Sequence, residues 1–139
     1  MGFLNKFVLL LFLAIPNIVL SQDLVERIEA KDYQDQLSKI NRAIENETAN
    51  NDEKLSELYA LKGTLLIELE KLDDALISLN RAIELNPQFA EAYSTRGRIF
   101  VGLNETIKAR EDQKKAISMN ENYAAAYSRL AFAEYRLEN

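Results

Sequence analysis

Nucleophilic chemistry in this chain would fall to serine and lysine, because its 139 residues include no histidine and no cysteine. Ser56, Ser78, Ser94, Ser118 and Ser128 carry hydroxyls, but a serine hydroxyl is a weak nucleophile until an adjacent base takes its proton. None has a base at a recognisable spacing. A serine–lysine dyad survives the count of residue types, with no motif behind it. The missing histidine removes the commonest general base, and the missing cysteine removes nearly all structural zinc sites.

Carboxylates and glycines have plainer readings. Asp73-Asp74 falls at the expected first turn of a helix, where negative charge offsets unsatisfied N–H groups, and this outweighs metal binding. The run Asn50-Asn51-Asp52-Glu53 lacks the glycine and the spaced acidic ligands of a calcium loop. It reads as loop and cap. Phosphate cradles need clustered glycines, whereas Gly63 and Gly97 stand apart at helix-packing positions and Gly102 near a helix end.

Those two packing glycines belong to a repeat. Ser56–Phe89 aligns without a gap on Ala90–Tyr123, 34 residues later, pairing Glu57 with Glu91, Tyr59 with Tyr93, Gly63 with Gly97, Leu69 with Leu103, Ala75 with Ala109, Ala82 with Ala116, Ile83 with Ile117 and Asn86 with Asn120. The same step places Tyr127 after Tyr93 and Ala131 after Gly97. A period of this length predicts two helices per unit, each unit covering its neighbour's apolar face. Small Gly63, Ala75 and Ala82 would let the two helices approach closely, with Tyr59, Leu66 and Leu79 filling the space between them. Tyr93 and Phe100 do so in the second unit.

Tyr59, Lys62-Gly63, Leu66, Ala75, Leu79, Ala82 and Pro87 resemble the tetratricopeptide repeat, as do Tyr93, Arg96-Gly97, Phe100, Ala109, Gln113 and Ala116. Glu121 stands in the second unit where the family has proline, and Gln113 where it has an aromatic. The resemblance implies an all-α fold of antiparallel helical hairpins stacked as a short right-handed α-α superhelix. It implies little about function.

The start of the chain differs from the rest. Lys6 is the only charged residue before Asp23, and Phe7–Leu20 is apolar apart from Pro16 and Asn17. This is the three-part form of a signal peptide, residues 1–21, with Val19 and Ser21 placing cleavage before Gln22. The alternative is an uncleaved anchor, for which the apolar run is short against the roughly 20 residues that span a bilayer. With no cysteine after it, lipid attachment does not apply. Export without disulfides leaves stability to helix packing and suits a periplasmic or other extracytoplasmic bacterial setting. The net charge of −5 and the lack of a Lys/Arg cluster argue against nucleic acid and anionic membrane as partners.

The mature domain, 22–139, reads as a degenerate hairpin over 23–46, the repeats 56–89 and 90–123, and a single C-terminal helix over 124–137. In the first of these, Asp32-Tyr33 marks an expected turn, and Asn41-Arg42-Ala43-Ile44-Glu45 reproduces Asn80–Glu84 at a spacing of 39, so a longer loop is expected over 46–52. Asn51 or Asp52 is expected to cap the next helix, Asn86-Pro87 to end its partner, and Asn104 to cap the polar helix ending at Met119.

By the repeat's likeness, binding belongs to the concave surface of the first helices. Those positions are Glu57, Ala60, Thr64, Ile67 and Glu68, then Glu91, Ser94, Arg98 and Val101, then Ala125, Ser128, Phe132 and Tyr135. The chaperone-binding form of the fold grips terminal carboxylates with lysines. Glu57 and Glu91 stand in their place, which argues against an acidic tail. Ile67 and Val101 read equally as seam packing. The expectation is a non-enzymatic module, without cofactor or metal, that takes an extended or helical segment of a partner protein. Self-association through Phe132 and Tyr135 of the last helix is the alternative, and an enzyme with converging polar groups is a remote third.

Overall fold

The computed structural model describes residues 22–47 and 51–138, and among these it contains six helices and no strand. They are α1 (Gln22–Asn46), α2 (Asp52–Glu68), α3 (Leu72–Leu85), α4 (Ala90–Gly102), α5 (Thr106–Met119) and α6 (Ala124–Glu138). The expected signal segment, 1–21, lies outside the described residues, as does part of the expected loop over 46–52. The chain divides into two units, 1–34 and 35–139. Of the first unit the described part is the beginning of α1.

The turn expected at Asp32-Tyr33 is absent. Gln22–Asn46 is a single helix of 25 residues, so 23–46 is not a hairpin. No glycine or proline interrupts the stretch, and without a breaker the helical pattern runs on. Within the second unit the end of α1 resembles the second helix of a hairpin. Ile40 is buried and Leu37 packs on the core, as Leu79 and Leu76 do in α3.

Asn51 caps α2, its side chain accepting from the Lys54 N–H at 3.3 Å. α2 and α3 form a hairpin around Leu79, which is fully buried among Ala60, Leu66, Ala75 and Ala82, with Tyr59, Leu72, Leu76, Ile83 and Phe89 partly buried around them. Burial of such a leucine stabilises by about 2 kcal/mol. Close approach explains Gly63: a Cβ there would lie 2.7 Å from Leu79 Cγ and 3.3 Å from the Ala75 carbonyl.

Each repeat uses the same two turns. Glu70 and Asn104 have positive φ, 57° and 62°, and follow the first helix of each hairpin. Lys71 N–H donates to the Leu66 carbonyl and Glu70 N–H to Ile67, and in the second hairpin Glu105 donates to Phe100 and Asn104 to Val101. These are Schellman closures, which satisfy the last carbonyls of the helix. Asn104 therefore terminates α4 instead of capping α5, because asparagine tolerates the left-handed backbone better than most residues. Glu105 takes the N-cap position of α5 without a side-chain capping bond to the backbone, its carboxylate pairing with Lys108 instead.

The turn between hairpins depends on asparagine. Asn86 Oδ1 accepts from the Gln88 N–H at 3.0 Å, and Asn120 Oδ1 from Asn122 at 3.1 Å. The two turns match although Glu121 stands where the first has Pro87, so the asparagine side chain suffices to shape the bend. The last helix, α6, packs on α5 and α4, burying Ala126 and Ala133.

Candidate functional site

The serines find structural employment. Ser78 donates to the Asp74 carbonyl, Ser118 to Lys115 and Ser128 to Ala124, while the buried Ser56 hydroxyl has no partner. Among the described residues no cluster of three acidic side chains is placed to hold a metal ion. No helix among them is long and apolar enough to cross a membrane.

Ser94 leads to the main polar feature of the interior. Its hydroxyl donates to Gln113 Oε1 at 2.8 Å, Gln113 Nε2 returns a bond to the Ser94 carbonyl at 3.0 Å, and Arg129 Nη1 reaches Ser94 Oγ at 2.6 Å. Both Ser94 and Gln113 are fully buried. This joins α4, α5 and α6. Beside it Arg96 makes a two-pronged contact with Asp112 at 2.8 and 2.7 Å, donates to Asn80 at 2.7 Å, and lies near the faces of Tyr93 and Phe100. The hydrogen bond to Asp112 raises the Arg96 pKa above its ordinary value, against the opposing effect of burial.

Four of the expected groove residues come together. Glu57, Ala60 and Thr64 of α2 and Glu91 of α4 line an open cleft of about 310 Å³, joined by Leu61 and Phe89. Leu61 is 50% exposed. Glu57 and Glu91 are exposed, whereas Ala60 is buried and contributes little more than backbone and methyl surface. The Thr64 hydroxyl is turned to the Ala60 carbonyl at 3.1 Å.

The remaining candidates do other things. Ser94 is buried in the polar seam and presents nothing to a groove, because Gln113 and Arg129 draw its hydroxyl inward. Ile67 packs on the core, and the Val101 carbonyl accepts from Arg136 at 3.2 Å. Arg98 reaches back to Glu68 at 3.4 Å, linking α4 to α2. Ala125 is partly buried and Ser128 exposed. Phe132 and Tyr135 are 49% and 64% exposed. Sequence reasoning passed over Leu61 and Phe89. Leu61 fits no packing position of the repeat, and such a leftover apolar residue is itself a surface signal.

Among the described residues six helices and no strand, with the successive hairpins α2–α3 and α4–α5 followed by α6, define an all-α helical-hairpin solenoid. The sequence pattern described as "TPR repeat" matches residues 63–104, and that described as "Tetratricopeptide repeat" matches 90–123. These matches show tetratricopeptide repeats within residues 63–123 of the chain. No curated protein matches it in sequence. Among solved structures it is similar to the Arabidopsis OM64 TPR domain, at 27% identity and a TM-score of 0.60, covering 62% of this chain and 71% of that one. The first TPR domain of human RPAP3 superposes with a TM-score of 0.60 at 25% identity, over 83% of this chain and 91% of that one. The first TPR of Spaghetti (RPAP3), bound to the HSP90 peptide SRMEEVD, gives 0.61 at 24% identity over 84% and 93%, a likeness of fold alone.

Proposed function

We propose that this chain is a non-enzymatic protein-binding module that acts outside the cytoplasm and holds a peptide or helical segment of a partner in its concave groove. The tetratricopeptide fold supports reading it as a protein–protein interaction module. The observation that carries the finer reading is the cleft between α2 and α4, where exposed Leu61 and partly buried Phe89 lie beside the carboxylates of Glu57 and Glu91. An exposed leucine rimmed by charge suits a partner's side chain better than it suits water.

Partner capture tests the groove. The protein recovered from expression of the full chain would be compared with its Leu61→Asp and Arg98→Glu variants. Loss of a captured protein with Leu61→Asp, in a variant that keeps its helical circular dichroism, supports the reading. Identical capture by all three overturns it. Leu61 is preferable to Ile67 here, because Ile67 packs on the core.

Export rests on the apolar segment after Lys6, ending at Val19 and Ser21. Mass measurement of the mature protein tests it. A chain beginning at Gln22 in the periplasmic fraction is expected, and an intact Met1 terminus in the membrane fraction favours the anchor instead.

Self-association is favoured by one observation. On α6, Tyr127, Phe132 and Tyr135 are all exposed, and so is Ala131, which occupies the position where Gly63 and Gly97 receive a second helix. A mass that rises with concentration supports this second reading, and a monomer throughout the micromolar range overturns it.

A further inference from the structure

The cleft between α2 and α4 has a charge as well as a shape. Its two charged side chains, Glu57 and Glu91, are both acidic and exposed, and neither takes part in an ion pair among the described residues. The nearest concave cation along the row, Arg98, already faces Glu68 at 3.4 Å. Farther on, Arg129 is directed into the seam at Ser94, and Arg136 toward the Val101 carbonyl and Asn104. The other acidic residues of α2 differ: Glu68 is paired with Arg98, and Asp52 and Glu53 lie in the first turn, where they complement the helix terminus. The two carboxylates therefore line one cleft without an ion-pair partner among the described residues, beside the exposed Leu61.

From this arrangement we infer that the groove selects a cationic segment: a partner peptide or helix that places a lysine or arginine between Glu57 and Glu91 and lays an apolar side chain against Leu61 and Phe89. The inference rests on the groove reading above and adds the chemistry of the occupant. An ammonium or guanidinium there meets two carboxylates at once, so the attraction exceeds that of a single exposed pair. A carboxylate-rich segment meets like charge and is rejected. The apolar contact supplies affinity in a form that salt does not screen, so binding should weaken at high ionic strength without vanishing.

Three labelled peptides test this by fluorescence anisotropy: the acidic SRMEEVD, the cationic SRMKKVK in which its three acidic residues are lysines, and SRMQQVQ, in which they are glutamines and the arginine is the one charged side chain. The cationic peptide is expected to bind at least about tenfold more tightly than the acidic one. That preference should collapse in Glu57→Gln/Glu91→Gln. Glu111→Gln/Glu121→Gln, which removes the same charge from exposed positions outside the cleft, should leave it in place. The glutamine substitutions keep side-chain length, and circular dichroism of each variant checks that it is folded. Equal binding of all three peptides, lost in Leu61→Asp, overturns the cationic preference and leaves the groove standing. An equal loss in the Glu111/Glu121 pair assigns the effect to net charge and overturns the site. No binding of SRMKKVK overturns the inference, whereas the groove reading itself falls only if Leu61→Asp leaves partner capture unchanged.

Discussion

Gln113 and Ser94 exchange two hydrogen bonds across the second hairpin, the Ser94 hydroxyl donating to Gln113 Oε1 at 2.8 Å and Gln113 Nε2 donating to the Ser94 carbonyl at 3.0 Å. In the first hairpin the same positions hold Leu79 and Ala60, both apolar and buried. The two units thus solve one packing problem with different chemistry. A buried amide is tolerable only when it is bonded, and here both ends are.

Gln113→Ala is expected to lower stability by about 2–4 kcal/mol, through a cavity and the loss of two buried hydrogen bonds. Gln113→Leu copies Leu79, and the Ser94 hydroxyl retains Arg129, so its effect should be under about 1.5 kcal/mol. Urea unfolding of both variants checks the order. A larger loss for leucine than for alanine would contradict it.

Gly97 is bound up with the same side chain. A Cβ there would stand 2.2 Å from Gln113 Nε2 and 3.2 Å from Asp112 Cβ, so Gly97→Ala is expected to destabilise by about 1–3 kcal/mol. With Gln113 already cut to alanine the contact with Nε2 disappears while that with Asp112 Cβ remains, and the same substitution should be milder by about 1 kcal/mol. Gly102 meets nothing within 4 Å and has no positive φ. Gly102→Ala should therefore be neutral or stabilise by up to about 1 kcal/mol. A double-mutant cycle measured by thermal unfolding reads all three.

Arg96 binds Asp112 with two prongs and Asn80 with a third nitrogen. Lysine has no planar fork, so Arg96→Lys is expected to lower stability by about 1.5–3 kcal/mol. Hydrogen bonding to Asp112 raises the Arg96 pKa in the folded state. Its contribution is then complete below arginine's ordinary value and is lost only as pH climbs through the raised one. The deficit of the lysine variant should accordingly be flat between about pH 6 and about pH 9. Denaturation midpoints across that range test the point.

The two left-handed turn residues should respond in opposite ways. Glu70 has φ 57° and a side chain suited to helix, so Glu70→Gly is expected to stabilise by about 0.5–1 kcal/mol. Asn104 has φ 62°, but its Oδ1 accepts from Arg136 at 2.5 Å, so Asn104→Gly gains backbone ease and loses a contact to α6. No gain is expected. Melting temperatures of the pair decide between them.

Much of the fold was legible because the repeat states each packing requirement twice. Gly63 and Gly97 signalled close helices, and Asn86-Pro87 signalled the bend that Asn120 repeats without a proline. Asp32-Tyr33 misled because neither residue stops a helix that lacks glycine and proline. Asn104 misled because asparagine serves both at the start of a helix and in the left-handed turn that ends one. The groove was legible by position only. Repeat register put Ser94 and Ala60 on the concave row, yet register says nothing of depth, and both are buried.

By itself the sequence determined the architecture: the 34-residue period, the small residues where helices touch, the absence of histidine and cysteine, and the pair Glu57 and Glu91 at one place in successive units. These are local or periodic facts, and a linear chain records them directly. Tertiary structure alone decided that Gln113 replaces an apolar knob with a bonded amide, that Arg96 closes on Asp112, that Arg98 is drawn to Glu68, and that Leu61 and Phe89 complete the cleft. Each depends on which side chains from different helices come within a few ångströms. That is a matter of helix crossing and depth, which no spacing along one strand of sequence encodes.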